Sequence, residues 1–164
     1  MTPHETLKMN LATAITDSTD ICEYVKREFG RELLVVVNRY GAQGFPGEKE
    51  APFVWIFSEE GENEAGDVDE ETFDIGIVFG VVDTGPCVRK YVKKLRTDNA
   101  PGLEVYGCLD KVETVREMIF ALVAQSNHGA IFRSATRLES NVADYPLEWA
   151  KLTARYAEPD TLDD

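Results

Sequence analysis

The stretch FDIGIVFGVVD, residues 73 to 83, decides the fold of this 164-residue chain. Large apolar side chains alternate along it with other residues: Phe73, Ile75, Ile77, Phe79 and Val81. A period of two residues places all of them on one face of a β-strand. Gly76 and Gly80 fall on the opposite face, where a neighbouring group can approach closely. The stretch therefore predicts a strand with one face on the core.

Other stretches on both sides of this strand also have the composition of strands. Residues 31–40 are rich in β-branched side chains, and residues 130–140 and 147–156 predict a closing pair of strands. APFVWIF, residues 51–57, has no polar face, so one side of it is expected to be covered by a helix or by another subunit. The large aromatic residues of these strands are expected in the core: Phe53, Trp55, Phe57 and Trp149. A short strand or turn is predicted for residues 102–107.

Helices are predicted in three regions. Residues 5–29 have helical periodicity with a plausible break at residues 17–20, and Gly30 is a natural C-terminal stop. Residues 84–96, TGPCVRKYVKKLR, predict a basic amphipathic helix. Residues 110–126 predict a second amphipathic helix, because Asp110 and Glu113 form a capping signal before an apolar stripe.

The order of these elements predicts an α+β fold. Strands that follow one another through short loops favour an antiparallel or mixed β-sheet, flanked here by the N-terminal helix and the central amphipathic helices. A length of 164 residues fits a single domain spanning residues 1–164.

The acidic stretch, residues 59–72, joins two of the predicted strands. It holds eight of the thirty carboxylates of the chain and no Lys or Arg, which predicts a mobile, solvated hairpin loop. Its pattern resembles the start of a calcium loop, but the glycine and the final glutamate are out of register, so no metal site is predicted. Residues 159–164 are expected to form a frayed acidic tail.

The sequence offers little for catalysis. Cys22, Cys87 and Cys108 are widely spaced, and neither His4 nor His128 lies near a cysteine in sequence. Cys87 follows a turn signal, but the sequence offers no general base that would activate its thiol as a nucleophile. His128 lies in the turn SNHG and is expected to face solvent. No phosphate-binding or dinucleotide motif is present. No catalytic residue, cofactor or metal is therefore predicted.

Charge limits the partners. A net charge of −13 argues against sequence-specific nucleic-acid binding, and the lack of a long apolar run predicts a soluble, cytosolic protein without membrane contact. The basic residues 84–96 suit either a solvated surface or the acidic stretch of a neighbouring copy, as a head-to-tail ring interface would use. The interface candidates are Glu62, Glu64, Asp67, Asp69, Arg89, Lys93 and Arg96.

The chain also resembles the tail terminator, or tail completion, proteins of long-tailed bacteriophages. The resemblance lies in element order and spans residues 5–159: the N-terminal helix, FDIGIVFGVVD, KVETVREMIFALVAQS, and a final strand between Tyr145-Pro146 and Glu158-Pro159. The acidic stretch and residues 84–105 are longer than the family's pattern. The resemblance implies a non-enzymatic virion protein, assembled in the bacterial cytoplasm into a hexameric ring that caps the tail tube. The implied partners are other copies of the chain, the tail tube protein and a head-side neck protein.

Two other functions remain open on the sequence alone. One is an acidic binding protein of the DNA-mimic type that inhibits a basic host protein, for which the carboxylates would have to cover a folded surface. The other is a small enzyme that uses carboxylates at the strand ends, such as Asp74 or Asp83.

Overall fold

The structure is a computed structural model. It describes residues 2–40, 45–59, 71–82, 91–105, 109–141 and 147–159, with the backbone alone at residues 91–93, 104, 105 and 109. Along these residues the elements are α1 Pro3–Asp17, α2 Thr19–Phe29, β1 Leu34–Val37, β2 Phe53–Glu59, β3 Thr72–Val82, β4 Tyr91–Lys94, β5 Leu103–Val105, α3 Leu109–Val123, β6 Ile131–Glu139 and β7 Leu147–Ala157.

A mixed five-stranded sheet organises the fold, in the order β1-β2-β3-β7-β6. The pair β1 and β2 is parallel, and the other neighbours are antiparallel. The strand β3 lies at the centre, where its eleven residues pair with β7 along their whole length, from Thr72 opposite Ala157 to Val82 opposite Leu147. This is an α+β fold with a mixed sheet flanked by helices, as predicted.

The helices pack on one face of this sheet. On β3, Ile75, Ile77, Phe79 and Val81 face them and are buried, which confirms the alternation seen in the sequence. The same core takes in apolar residues of all three α-helices: Leu7, Leu11, Ile15, Ile21, Val25, Phe29, Val112, Val115, Ile119 and Val123. The Tyr156 hydroxyl donates a hydrogen bond to the Val123 carbonyl, 2.8 Å away, and burial raises the pKa of this phenol.

The helix ends follow the capping residues in the sequence. Ser18 separates α1 from α2, and its hydroxyl accepts a hydrogen bond from the Ile21 amide at 3.3 Å. Gly30 closes α2 in the left-handed conformation, with φ of 75°, and its amide donates to the Lys26 carbonyl. The predicted break and the predicted stop are therefore both confirmed.

The predicted basic helix at residues 84–96 is wrong where the structure describes it. Tyr91–Lys94 form β4, which pairs antiparallel with β5. Helical periodicity over one short stretch cannot reveal a strand partner further along the chain, and tyrosine and valine are enriched in strands. Gly102 fixes the pairing, since a Cβ there would lie 2.6 Å from the Arg96 amide nitrogen. Of the two central amphipathic helices that the sequence predicts, the described residues contain one, α3.

No helix in the described part of the chain is long and apolar enough to cross a membrane.

Candidate interaction surface

The second face of the sheet, away from the helices, carries most of the large aromatic side chains. We call it the aromatic face and define it by Phe45, Phe53, Trp55, Phe57, Val78, Leu147 and Trp149. Within the described residues, none of the three α-helices contributes to this apolar cluster. The two faces of FVWIF therefore differ: Val54 and Ile56 enter the helix-covered core, and the three aromatic residues point the other way.

Two glycines of β3 make room for aromatic rings on this face. Phe57 is opposite Gly76 in the ladder, and Phe53 is opposite Gly80. A Cβ on Gly76 would lie 2.3 Å from the Phe57 ring, and one on Gly80 would lie 2.5 Å from the Phe53 ring. The predicted close approach is confirmed, and the approaching groups are rings from β2.

Aromatic contacts tie the centre of the face together. The Trp55 ring stacks on Phe57 with centroids 4.1 Å apart, and Phe45 lies edge-on to Trp55 at 5.5 Å. Phe53 is fully buried, whereas Trp55, Phe57 and Trp149 are half-buried. The Trp55 indole Nε1 is buried without a hydrogen-bond partner among the described residues. Half-buried tryptophans are typical of surfaces that bind a partner.

Ion pairs border this face at the end where β2 meets the acidic stretch. Lys151 pairs with Glu59 and lies 5.5 Å from the centre of the Phe57 ring. Arg155 Nε donates to Asp74 Oδ1 at 3.0 Å. In each pair the positive charge of the base neutralises the negative charge of the acid. The described part of the face therefore has an apolar centre and a polar border in which these charges cancel.

The structure describes only part of the sequence-predicted interface. Glu62, Glu64, Asp67, Asp69 and Arg89 lie outside the described residues. Lys93 lies in β4 with its backbone alone described, and Arg96 is exposed just after β4. Whether the acidic and basic sets meet therefore stays a prediction.

The β4–β5 unit, which we call the basic hairpin (residues 91–105), exposes two leucines. Leu95 is 76% exposed and Leu103 is 48% exposed. Lys94 and Arg96 flank Leu95, are exposed, and have no ion-pair partner in the described part of the chain. An exposed leucine between two cations has the composition of a contact surface.

Lys8 is a buried cation that the sequence analysis did not single out. It is 2% exposed, its Nζ lies 2.6 Å from Glu5 Oε1 and 2.8 Å from Ser58 Oγ, and it also donates to Asn38. Asn38, with φ of 62°, donates to Glu5, and the pKa of the Glu5 carboxyl is lowered by Lys8. Every Nζ proton therefore has an acceptor, and the group joins α1 to the ends of β1 and β2. The available signal was its spacing, because residue 8 is in phase with Leu11 and Ile15.

His128 is buried, and the expectation that it faces solvent is wrong. The His128 Nε2 lies 2.8 Å from the Leu122 carbonyl near the end of α3. The Asn10 side-chain amide donates a hydrogen bond to the His128 backbone carbonyl at 2.7 Å. The ring therefore contacts a carbonyl at the end of α3 that also accepts a hydrogen bond from the Gln125 amide at 3.2 Å.

The remaining nucleophiles and metal ligands are sparse among the described residues. Cys22 is a free, half-buried thiol whose pKa is raised by burial. Cys87, Cys108 and Asp83 lie outside these residues, and within them no group of three His, Cys, Asp or Glu side chains is placed to hold a metal ion. Asp74 is held by Arg155 at the strand end.

No protein-family model matches the chain, and no curated protein matches it.

Proposed function

We propose that this chain is a structural virion protein: a tail terminator of a long-tailed bacteriophage, which forms a ring on the tail tube and offers a joining surface to a head-side neck protein. One observation carries the proposal. The central strand β3 separates an acidic segment from a basic segment, so the two charges leave opposite ends of the sheet.

The length of β3 sets the distance between the points at which the chain enters and leaves this strand. The acidic stretch enters β3 at Thr72, and the chain leaves the strand at Val82 before the basic residues 89–96. Eleven residues of strand span roughly 33 Å between these ends. A contact between opposite ends of two copies joins two different surfaces, and such a heterologous contact repeats head-to-tail and forms a ring when the rotation between copies closes.

The fold and the aromatic face give further support. The α+β architecture is the one that the resemblance implies, and a half-buried aromatic face suits a protein that works in an assembly. A hexamer, the tail tube and the neck protein are the assembly state and partners that we propose on this basis.

A DNA-mimic inhibitor receives less support. Such a protein needs unpaired carboxylates spread over a folded surface, whereas many of the described ones are held by a base: Glu28 by Lys111, Glu50 by Arg39, Asp74 by Arg155, and Glu117 by Arg137.

Native mass spectrometry over a concentration series, combined with negative-stain images, tests the proposal. We expect closed rings of several copies, either in free solution or on purified tail tubes. A chain that stays monomeric at every concentration and does not bind tail tubes contradicts the proposal. A tight, salt-sensitive one-to-one complex with a basic host protein would favour the inhibitor instead.

A further inference from the structure

The five-stranded sheet has two open edges within the described part of the chain. Its outer strands are β1 on one side and β6 on the other, and each is paired with a single neighbour. Backbone groups point to the two sides of a strand in alternation, so an outer strand has amides and carbonyls that its one neighbour does not use. Such a row of unused groups is a template for pairing with another strand.

The hydrogen bonds between β1 and β2 identify the unused groups of β1. The Asn38 amide donates to the Ile56 carbonyl of β2 at 2.9 Å. Residues one and three positions before Asn38 point the other way, so the backbone groups of Val35 and Val37 face the open edge. The side chains of β1, with the sequence LVVV, include no charge and no proline, two features that natural edge strands use to block pairing.

The unused groups of β6 follow from its ladder with β7. The Ser140 amide donates to the Trp149 carbonyl at 2.9 Å. By the same alternation, the backbone groups of Ala135 and Arg137 face the open edge. The irregular part of this ladder ends at Ser134, before these residues. Both edges of the sheet therefore present unused groups in regular strand geometry.

Each open edge also carries an exposed leucine, and both leucines lie on the same side of the sheet. Leu34 is 41% exposed and aligns with Phe53. Leu138 is 55% exposed and aligns with Lys151. Both partners lie on the side of the aromatic face. A contact between the two edges buries both leucines, which favours it.

We propose that β1 of one copy pairs with β6 of the next copy, so that the sheets of neighbouring copies join edge to edge. The inference rests on the proposed ring and names a contact between its subunits. In this contact Val35 lies opposite Arg137 and Val37 lies opposite Ala135, and the backbone of each residue donates to and accepts from its partner.

This register brings the exposed leucines together. Leu34 lies directly opposite Leu138, in a pair without hydrogen bonds, where facing Cβ atoms are about 5 Å apart. The charged segments at the ends of β3 take no part in this pairing, so the edge contact can be tested apart from them.

Strand direction also suits a ring. The strand β1 runs parallel to β2, and each of the three further steps across the sheet reverses direction, so β6 runs opposite to β1. A rotation about an axis along the strands keeps the direction of β1, and β1 of the next copy therefore meets β6 antiparallel. The contact joins two different edges, so it repeats from copy to copy.

Disulfide cross-linking locates the contact. In a background with Cys22, Cys87 and Cys108 changed to serine, Leu34→Cys and Leu138→Cys are combined in one chain, placed under conditions of assembly and oxidised with diamide. The two positions lie at opposite edges of the sheet, about 19 Å apart across its strand spacings. A disulfide needs Cα atoms within roughly 7 Å of each other, so this link forms only between copies.

We expect a ladder of covalent oligomers that ends at the closed ring. The matched control combines Met9→Cys, at an exposed position of α1, with Leu138→Cys and should give no ladder. Assembly without a ladder, or a covalent dimer from either edge variant alone, overturns the edge pairing and leaves the proposed function standing. If no assembly forms, with or without tail tubes, the proposed function fails and the edge pairing fails with it.

A pair of charge variants tests the same contact with the native cysteines in place. Both variants carry Leu138→Lys, and one adds Leu34→Lys whereas the other adds Leu34→Glu. Both lose the same leucines, but like charges face each other in the first and opposite charges in the second. We expect the concentration at the assembly midpoint to be about fivefold higher, or more, for the first variant.

Met9→Lys and Met9→Glu are the matched controls, because they differ in net charge by the same amount at an exposed position away from both edges. Their assembly midpoints should agree within about twofold. Equal midpoints for the two edge variants would show that positions 34 and 138 do not meet, and would overturn the edge pairing.

Discussion

Phe57 lies directly across the sheet from Gly76, and its ring occupies the space that a Cβ on that glycine would need. The same relation joins Phe53, the first residue of β2, to Gly80. Glycine in a strand interior normally weakens the strand, and here an aromatic ring from the next strand covers it. These pairs fix the register of β2 on β3, and they leave Trp55 between the two rings.

The first prediction concerns this pair. Gly76→Ala should destabilise the protein by about 1–3 kcal/mol, because the added methyl forces the Phe57 ring off its position. Gly47→Ala is the matched control, since a Cβ there meets nothing within 4 Å. Urea unfolding of both variants provides the measurement. A Gly76→Ala protein as stable as the control would mean that the ring moves aside without cost.

The buried Lys8 group supplies the second prediction. Lys8→Met should lower the free energy of unfolding by about 2 kcal/mol, because Glu5, Asn38 and Ser58 lose the buried donor that they share.

Lys26→Met is the control for this change. Its partner Glu32 is also a surface residue, and an exposed pair contributes about 0–1 kcal/mol. Equal stability losses in the two variants would show that Lys8 is held no more strongly than a surface lysine.

The third prediction concerns acid stability. A hydrogen bond from Arg137, with a smaller one from Arg116, lowers the pKa of Glu117 below its ordinary value of 4.5. A carboxyl with a lowered folded pKa stabilises the fold above pH 4.5, and this contribution is lost as the pH falls through the folded pKa. The pKa values of Glu5, Glu28 and Glu50 are lowered in the same direction.

We therefore expect the free energy of unfolding to be level from neutral pH to about pH 5 and to fall below it. Glu117→Gln should make that fall shallower, and Glu113→Gln, on the same helix, should not. Chemical unfolding at a series of pH values measures both slopes. Parallel curves for wild type and Glu117→Gln would remove Glu117 from the acid response.

Much of the fold could be predicted from local pattern. The alternation in residues 73–83 predicted the central strand, its buried face and the close approach at its glycines, because a strand's period is set by covalent geometry alone. Ser18 and Gly30 predicted helix ends for the same local reason. Residues 91–94 could not be predicted this way, since whether they form a helix or a strand depends on pairing with residues 103–105. His128 and Lys8 needed knowledge of which helix end and which strand ends lie nearby.

The surfaces were harder to predict than the elements. The sequence showed that FVWIF lacks a polar face, but it could not show which side the helices cover. Register decides this, because Val54 and Ile56 face the helices only when Phe53 lies opposite Gly80. The exposed leucines of the basic hairpin were hidden for a related reason, because the structure has the strand β4 at residues 91–94 in place of the predicted helix.

The last prediction tests the charge complementarity on which the proposed ring depends. Reversing the acidic set with Glu62→Lys and Glu64→Lys should raise the assembly midpoint, and so should reversing the basic set with Arg89→Glu and Lys93→Glu, because like charges then meet across the contact. A mixture of the two variants supplies one contact of matched, reversed charge and should assemble more readily than either variant alone. Rising salt should weaken wild-type assembly. Light scattering follows all four samples, and assembly that is equally strong in every variant would show that the acidic stretch and the basic residues do not meet.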